Sequence, residues 1–223
     1  MIKILLSGAN GKMGKTVIAS ITHEKDLQLV AKTTRGDDLT KAIRQYHPDV
    51  VIDFTEPSCA FENTKKIIEA GARAVVGTTG FSDIDIQNIR ELCATKKQGV
   101  IIAPNFSIGA ALMMRYAQET AKYFPDAEII EYHHPQKKDA PSGTAKKTAA
   151  MIAENTENKN IPIHSIRLPG FFADQKVVFG APGETLVIQH ATVDRNAMMP
   201  GLFLCCREVM TLDHLVYGIE GFL

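Results

Sequence analysis

Residues 2–14 have the sequence Ile-Lys-Ile-Leu-Leu-Ser-Gly-Ala-Asn-Gly-Lys-Met-Gly. The aliphatic run at 2–6 is typical of a buried strand, and helical spacing of apolar residues follows the glycines from Met13 to Ile21. Glycines between a strand and a helix allow a tight turn, and the start of the helix can hold a pyrophosphate. The spacing Gly-x-x-Gly-x-x-Gly departs from the commoner G-x-G-x-x-G, and a turn without a ligand also favours glycine.

A second interpretation uses the same residues. Gly14-Lys15-Thr16 resembles the end of a phosphate-binding P-loop, for which residues 50–53 could be the metal-holding strand. That motif requires glycine five positions before Gly14, where this chain has Ala9. A P-loop NTPase therefore stays an alternative that Ala9 disfavours.

The first hundred residues continue the alternation of strands and helices. Residues 49–54 are nearly all apolar in their centre, as in strands buried on both faces of a parallel sheet. Further strands are predicted at 27–31, 74–76 and 100–102, with helices that begin near Pro57 and after Ser82. This pattern predicts an α/β fold with a Rossmann-like, doubly wound parallel sheet.

From Ser107 onward the pattern changes. Helices are predicted at 107–123 and 144–154, a surface loop at 154–160, and strands at 128–134, 165–168, 176–180 and 185–191. These elements predict a second, α+β domain built on an open mixed or mostly antiparallel sheet.

Composition excludes several classes of function. The 223 residues carry 25 Lys+Arg against 25 Asp+Glu, so no general attraction draws the chain to nucleic acid. No apolar run has the roughly 18 residues that a membrane span requires. The four cysteines have no spacing that suits zinc, so we expect reduced thiols and no bound metal. Because the apolar residues at 1–6 are too few for a signal-peptide core and no membrane span is predicted, we expect a cytoplasmic location.

Arg35 bears on the choice of dinucleotide. Residues 33–36, Thr-Thr-Arg-Gly, follow the second strand, where NAD-binding proteins usually carry an acidic residue for the ribose hydroxyls. A guanidinium at this point suits a 2′-phosphate, which favours NADPH over NADH. Arg35 can equally be a solvated loop charge.

The densest chemistry lies in residues 131–144, Glu-Tyr-His-His-Pro-Gln-Lys-Lys-Asp-Ala-Pro-Ser-Gly-Thr. Two histidines end a strand, Lys137 follows in a loop, and Ser142-Gly143-Thr144 opens a helix whose N-terminal amides can receive a carboxylate. Together they predict an anion pocket with titratable donors beside it. The alternative is a histidine-rich strand end next to an ordinary helix cap.

These residues resemble the 4-hydroxy-tetrahydrodipicolinate reductase family, formerly called dihydrodipicolinate reductase, of bacterial and plant lysine synthesis. The resemblance covers nearly the entire chain. It rests on the segment 131–145 and on the motifs at 8–14, 51–55, 77–81 and 103–107. It implies NAD(P)H-dependent reduction of a cyclic dicarboxylate, 4-hydroxy-tetrahydrodipicolinate, to tetrahydrodipicolinate with loss of water. A P-loop NTPase and a non-catalytic NADPH-sensing module stay open as alternatives to this interpretation.

The resemblance also assigns roles to residues. It implies a dinucleotide-binding domain of residues 1–105 and 196–223, a substrate-binding and oligomerisation domain of residues 106–195, and a homotetramer. His133 is the implied proton donor or acceptor and Lys137 the second donor. The implied substrate contacts are His134, Ser142, Gly143 and Thr144. The implied NADPH or NADH contacts are Gly8, Ala9, Asn10, Gly11, Lys12, Met13, Arg35, Gly77, Thr78, Thr79, Ala103, Pro104, Asn105 and Phe106.

Overall fold

Strands and helices alternate strictly up to residue 106 and follow a different order after it. The computed structural model describes all 223 residues. Its strands are β1 (Ile2–Ser7), β2 (Leu27–Thr33), β3 (Val50–Asp53), β4 (Arg73–Val76), β5 (Val100–Ile102), β6 (Asp126–His133), β7 (Ile163–Arg167), β8 (Ala173–Ala181), β9 (Glu184–Thr192) and β10 (Leu215–Tyr217). Its α-helices are α1 (Lys12–Ile21), α2 (Leu39–Tyr46), α3 (Pro57–Glu69), α4 (Asp83–Lys96), α5 (Ile108–Thr120), α6 (Gly143–Glu154) and α7 (Met199–Glu208). Three short 3₁₀ turns cover Arg195–Met198, Val209–Thr211 and Glu220–Phe222.

The chain forms two compact units. The first contains residues 1–106 and 198–222, and the second contains residues 107–197 with residue 223. The predicted functions of the corresponding domains, 1–105 with 196–223 for the dinucleotide and 106–195 for substrate and assembly, stay predictions. None of the helices combines the length and apolar character needed to cross a bilayer.

The first unit is organised by a six-stranded parallel sheet with the order β10-β5-β4-β3-β1-β2. All residues of β3 and β5 are buried, as parallel strands covered on both faces should be. The predicted Rossmann-like sheet is therefore confirmed. Because β1 lies between β2 and β3, the loops that leave β1 and β3 diverge, and this is where such sheets form their ligand crevice.

Three elements of this unit are absent from the sequence predictions: α2, α7 and β10. Helix α2 buries only Leu39 and Ile43, so its apolar stripe is two residues long, although Asp38 caps it by accepting from the amide of Lys41. Strand β10 has three residues and pairs in parallel with β5. A two-residue stripe and a three-residue strand carry little periodicity. Strand β5 is equally short, but it is predicted because its apolar run continues the regular alternation of strands and helices.

The second unit is a four-stranded mixed sheet with the order β7-β6-β8-β9, which confirms the predicted α+β architecture. Strand β6 pairs in parallel with β7 and antiparallel with β8, and it begins at Asp126, two residues before the predicted start. Helices α5 and α6 pack on one face of the sheet. That core contains Ala117, Ala121, Ile129, Ala145, Ile152, Val177 and Phe179.

Gly201, in α7, provides a stability test of the packing in the first unit. A Cβ atom at this position would lie 2.0 Å from the backbone oxygen of Phe106. Alanine favours a helix over glycine by about 1 kcal/mol, but overpacking against backbone costs about 1–3 kcal/mol. We therefore expect Gly201→Ala to lower the thermal unfolding midpoint in calorimetry.

Gly221→Ala is the matched control, because nothing lies within 4 Å of a Cβ built there. It should leave the midpoint nearly unchanged. A Gly201→Ala protein that melts at or above the temperature of the unsubstituted chain would contradict the close approach of α7 to Phe106.

Candidate active site

The loop after β1 requires glycine at two positions. Gly8 has a φ of +85°, and a Cβ there would lie 2.3 Å from the backbone oxygen of Phe54. A Cβ on Gly14 would lie 2.4 Å from the backbone oxygen of Gly8. The loop is thus pressed against the end of β3 and against the first turn of α1, with backbone where side chains would otherwise project.

Helix α1 begins at this loop without a side-chain cap. Its N-cap is Gly11, and no acidic residue lies in its first turn. The amides of Lys12 and Met13 are among those that a helix leaves without a partner inside the helix, and their partial positive charge suits a phosphate. Gly8 and Ala9 are also predicted to contact the cofactor. Their amides instead donate to the backbone oxygen of Thr33, at 3.0 and 3.1 Å.

A cavity of about 710 Å³ opens beside the loop in the first unit. Of the predicted cofactor residues, Gly8, Asn10, Gly11 and Arg35 line this cavity, whereas Ala9 is buried behind it. Residues 77–79 follow β4 and residues 103–106 follow β5, so both segments leave the carboxyl edge of the same parallel sheet. A cavity at this edge has the size and location of a nucleotide site in doubly wound folds.

Phe106 supports the cavity from the core. Its side chain is buried and packs edge-to-face on Phe54 with ring centroids 5.9 Å apart. A Cβ on Gly77 would lie 2.1 Å from the Phe54 ring and 2.9 Å from the Phe106 ring. Gly77 and Phe106 therefore shape the segments after β4 and β5 through packing.

Arg35 lies at the mouth of the cavity and forms an ion pair with Glu56. Both side chains are mostly exposed, at 83% and 62%. The turn that carries Arg35 is fixed by Asp37, whose carboxylate accepts from the amide and the hydroxyl of Thr34 at 2.7 and 2.9 Å. The guanidinium is thus presented by an ordered turn and holds a carboxylate that an incoming phosphate can replace.

Asp53, at the end of β3, is completely buried and holds the floor of the cavity together. Its carboxylate accepts from the side chains of Thr55, Thr78 and Asn63 at 2.7, 2.7 and 3.0 Å. These bonds connect β3 to the loop after β4 and to helix α3. A carboxylate engaged by neutral donors in this way does not fit the metal-holding aspartate of the P-loop alternative.

In the second unit, parallel pairing of β6 with β7 brings a charged cluster together. Glu131 lies opposite Ser165 and His133 opposite Arg167, all on one face of the sheet. The Glu131 carboxylate is completely buried and accepts hydrogen bonds from both terminal nitrogens of Arg167, at 2.7 and 2.8 Å. His133 Nδ1 lies 2.5 Å from the same carboxylate.

The charge state of this cluster follows from its contacts. Burial by itself raises the pKa of Glu131, but the hydrogen bonds from Arg167, Ser165 and His133 outweigh burial and lower the pKa to about 2. Burial lowers the pKa of His133 below its ordinary value. The Glu131 carboxylate acts to raise this pKa, whereas the positive charges of Lys137 and Arg167 lower it further. At neutral pH the carboxylate is ionised and the imidazole is neutral.

The loop between β6 and α6 carries the other predicted donors. Lys137 Nζ donates to both carboxylate oxygens of Asp139, at 2.7 and 2.9 Å. Ser142 is the N-cap of α6, and its hydroxyl accepts from the amide of Ala145 at 3.2 Å. Gly143 and Thr144 lie in the first turn of this helix, and backbone amides at a helix start can bind an anion.

His134 has different neighbours from His133. Its Nδ1 lies 3.0 Å from the side-chain oxygen of Gln136, and its ring neighbours Phe172 at 6.5 Å between centroids. The guanidinium of Arg195 lies 5.0 Å from the centre of that same Phe172 ring. Phe172 is thus a neighbour of both His134 and the Arg195 guanidinium.

The cluster thus brings together, within the second unit, groups that are chemically able to bind an anion or to transfer a proton. Sequence reasoning assigned no role to Glu131, Arg167, Asp139 or Arg195. One local signal was available, because Glu131 and His133 are two residues apart in a strand and so share a face. No three His, Cys, Asp or Glu side chains are grouped to hold a metal ion.

Comparison with known proteins identifies the same family as the sequence motifs. Residues 2–106 match the family model described as dihydrodipicolinate reductase, N-terminus, and residues 109–223 match the one described as dihydrodipicolinate reductase, C-terminus. This chain belongs to the dihydrodipicolinate reductase family. The resemblance inferred from the motifs is confirmed.

Individual members of the dihydrodipicolinate reductase family are similar over full length. A 4-hydroxy-tetrahydrodipicolinate reductase of Coxiella burnetii is 54% identical, covering 100% of this chain and 99% of the relative. One from Listeria welshimeri is 43% identical, covering 100% of both. The solved structure of a dipicolinate-bound dihydrodipicolinate reductase from Paenisporosarcina sp. TG-14 has a TM-score of 0.91 at 38% identity, covering 100% of both chains.

Gly14→Ala tests the glycine loop as a dinucleotide site. The new methyl group would displace the backbone of Gly8 or Ala9 and thereby shift the loop. We expect the dissociation constant for NADPH, measured by titration calorimetry, to rise at least roughly tenfold, which is about 1.4 kcal/mol.

Ser20→Ala, at the far end of the same helix, is the control and should bind NADPH normally. If Gly14→Ala binds NADPH as tightly as the control, the cofactor does not lie on this loop.

Proposed function

We propose that this protein catalyses the NAD(P)H-dependent reduction of 4-hydroxy-tetrahydrodipicolinate to tetrahydrodipicolinate, with loss of water, in the diaminopimelate route to lysine. The observation that carries the proposal is the cluster of His133, Lys137 and the start of α6. It joins a titratable imidazole, an ammonium group and a helix N-terminus in a chain that is 54% identical to a protein named for this activity.

The substrate is a cyclic dicarboxylate, so the site must compensate two negative charges. The first turn of α6, with Gly143 and Thr144, suits one carboxylate, because its amides and its dipole favour an anion. Lys137 suits the other by direct ion pairing. When substrate binds, Lys137 exchanges its ion pair with Asp139 for one with the substrate carboxylate, and until then the Asp139 carboxylate orients the ammonium.

The nicotinamide, when bound, supplies the hydride. Loss of the substrate's 4-hydroxyl as water leaves a conjugated C=C–C=N unit in the ring. Addition of hydride to this unit builds electron density that a proton must neutralise, and a positioned acid lowers the barrier to that step. His133 and Lys137 are the two groups of the cluster that can donate it. The substrate's negative charge opposes the burial that lowers the pKa of His133, so binding favours the protonated imidazole.

The glycine loop and α1 fit a dinucleotide. A Cβ would fill the cradle at Gly8, Gly14 and Gly77, and the first-turn amides of α1 have no side-chain acceptor. The proposed cofactor residues are Gly8, Ala9, Asn10, Gly11, Lys12, Met13, Arg35, Gly77, Thr78, Thr79, Ala103, Pro104, Asn105 and Phe106. Gly8, Ala9, Gly77 and Phe106 contribute shape, and Arg35 favours NADPH over NADH through the 2′-phosphate.

The proposal extends to a cytoplasmic homotetramer. The face of the β6–β9 sheet opposite its helices carries Ile130, Tyr132, Val178 and Val187, which lie outside the core and are partly or largely exposed. Such a face suits contact with further copies of the chain. The four cysteines are unpaired, in keeping with a reducing compartment. Light scattering of the purified protein measures the assembly.

The direct test is oxidation of NADPH and of NADH by the purified protein while a synthase generates the unstable substrate in the same solution. We expect oxidation that depends on the synthase product and stops with dipicolinate. NADPH that binds without being oxidised would instead indicate a sensing module. Magnesium-dependent ATP hydrolysis without NADPH oxidation would indicate the NTPase alternative.

Substitution of the two proposed proton donors should separate chemistry from cofactor binding. His133→Ala and Lys137→Ala should each lower kcat roughly a hundredfold or more, because general acid catalysis contributes about 10²–10⁴-fold. The dissociation constant for NADPH should change little. Stopped-flow kinetics and fluorescence titration measure the two quantities.

Lys138→Ala, the neighbouring exposed lysine, is the matched control and should retain turnover. Equal losses in turnover and NADPH affinity for His133→Ala or Lys137→Ala would remove those residues from the proposed catalytic role.

Arg35→Ala tests the preference for the phosphorylated cofactor. Loss of the guanidinium should raise KM for NADPH and leave KM for NADH nearly unchanged, since only NADPH carries the 2′-phosphate. Lys32→Ala, on the preceding strand, serves as the control. Parallel changes for both cofactors would mean that Arg35 does not contact the 2′-phosphate.

A further inference from the structure

Glu131 has more contacts than a simple ion pair with Arg167 requires. It is completely buried, yet its carboxylate accepts from Arg167 twice, from His133 and from the amide of Ser142 at 3.2 Å. An uncompensated carboxylate in such a place would be strongly destabilising. These contacts join His133, Arg167 and the residue that caps α6.

We propose that Glu131 is a positioning residue, which holds the proton of His133 on Nδ1 and fixes the turn that opens α6. The proposal rests on the proposed function, for which it names a residue that acts through His133. Arg167 balances the buried negative charge of Glu131.

The tautomer of His133 follows from hydrogen-bond chemistry. An ionised carboxylate can only accept, so the hydrogen between Glu131 and His133 belongs to Nδ1. The Nε2 atom then carries the lone pair and is the nitrogen that exchanges a proton with a substrate. When Nε2 is protonated, the carboxylate stabilises the imidazolium, and when the proton leaves, the same tautomer is restored.

The same carboxylate fixes the approach to α6. The Ser142 amide bonds to one Glu131 oxygen, and Arg167 Nη2 bonds both to that oxygen and to the backbone oxygen of Asp139 at 2.7 Å. Loop residues 139–142 are therefore tied to the strand that carries His133. One charged group sets the relative geometry of the imidazole and the anion-binding turn.

A second glutamate on the same strand provides a built-in comparison. Glu128 accepts from His164 at 2.7 Å, but both side chains are more than half exposed, at 59% and 55%. Water screens such a pair, so it contributes little to orientation. Glu128→Gln removes a glutamate–histidine contact from β6 without touching His133, which makes it the matched control.

The first measurement needs no variant. Nitrogen-15 NMR of the histidine rings in the unsubstituted protein should show His133 neutral at pH 7 with the hydrogen on Nδ1. His133→Gln identifies the signal. A neutral His133 with its hydrogen on Nε2 would overturn the proposal.

The second measurement uses Glu131→Gln, which keeps the shape and removes the charge. The charged groups around His133 are Glu131 on β6, Arg167 on β7, and Lys137 and Asp139 in the loop. Glu131 is the one in hydrogen-bond contact that raises the pKa of His133, so this pKa should fall further in the variant, and kcat should fall roughly a hundredfold with NADPH affinity retained.

Glu128→Gln should leave the His133 pKa, its tautomer and kcat unchanged. An unchanged pKa and kcat in Glu131→Gln would overturn the proposal. If Glu131→Gln does not fold, the tautomer in the unsubstituted chain decides. If the chain proves not to reduce the dicarboxylate, the proposed function fails, while the tautomer and pKa still test the positioning role.

Discussion

A single buried charge, the carboxylate of Glu131, constrains the chemistry of the second unit. Removing a carboxylate from water is so costly that it persists only with full compensation, which here comes from Arg167, His133 and a backbone amide. Compensation fixes geometry, because each partner must stay within hydrogen-bond distance. The proposed acid, the guanidinium and the start of α6 are therefore held together by one electrostatic requirement.

The first unit depends on a steric requirement instead. Its parallel strands end at one edge, and the loop after β1 passes so close to β3 and α1 that only hydrogen fits on the Cα atoms of Gly8 and Gly14. Exposed backbone and uncapped helix amides are the result, and they suit a pyrophosphate. Buried Asp53, at the end of β3, links this strand to α3 and to the loop after β4 by hydrogen bonds. Steric exclusion of side chains thus shapes the candidate site of the first unit, whereas compensation of a buried charge shapes that of the second.

The sequence was sufficient for the architecture of both units, because apolar strands alternate with helices in a regular order up to residue 106 and polar-rich strands follow after it. It was insufficient for α2, whose stripe is only Leu39 and Ile43, and for the three-residue β10. The motifs identified His133, Lys137 and the α6 cap as candidates. They did not predict the Arg167 partnership, which depends on the parallel register of β6 and β7 across 36 positions, or the commitment of the Gly8 and Ala9 amides to Thr33.

A crystal structure of the protein with NADPH and dipicolinate most directly tests whether the dicarboxylate binds at the cluster of residues 133–144 in the second unit. We expect one carboxylate of the dipicolinate on the first-turn amides of α6, the other near Lys137, and the ring beside Nε2 of His133. Dipicolinate bound away from residues 133–144 would contradict the assignment of this cluster as the substrate site.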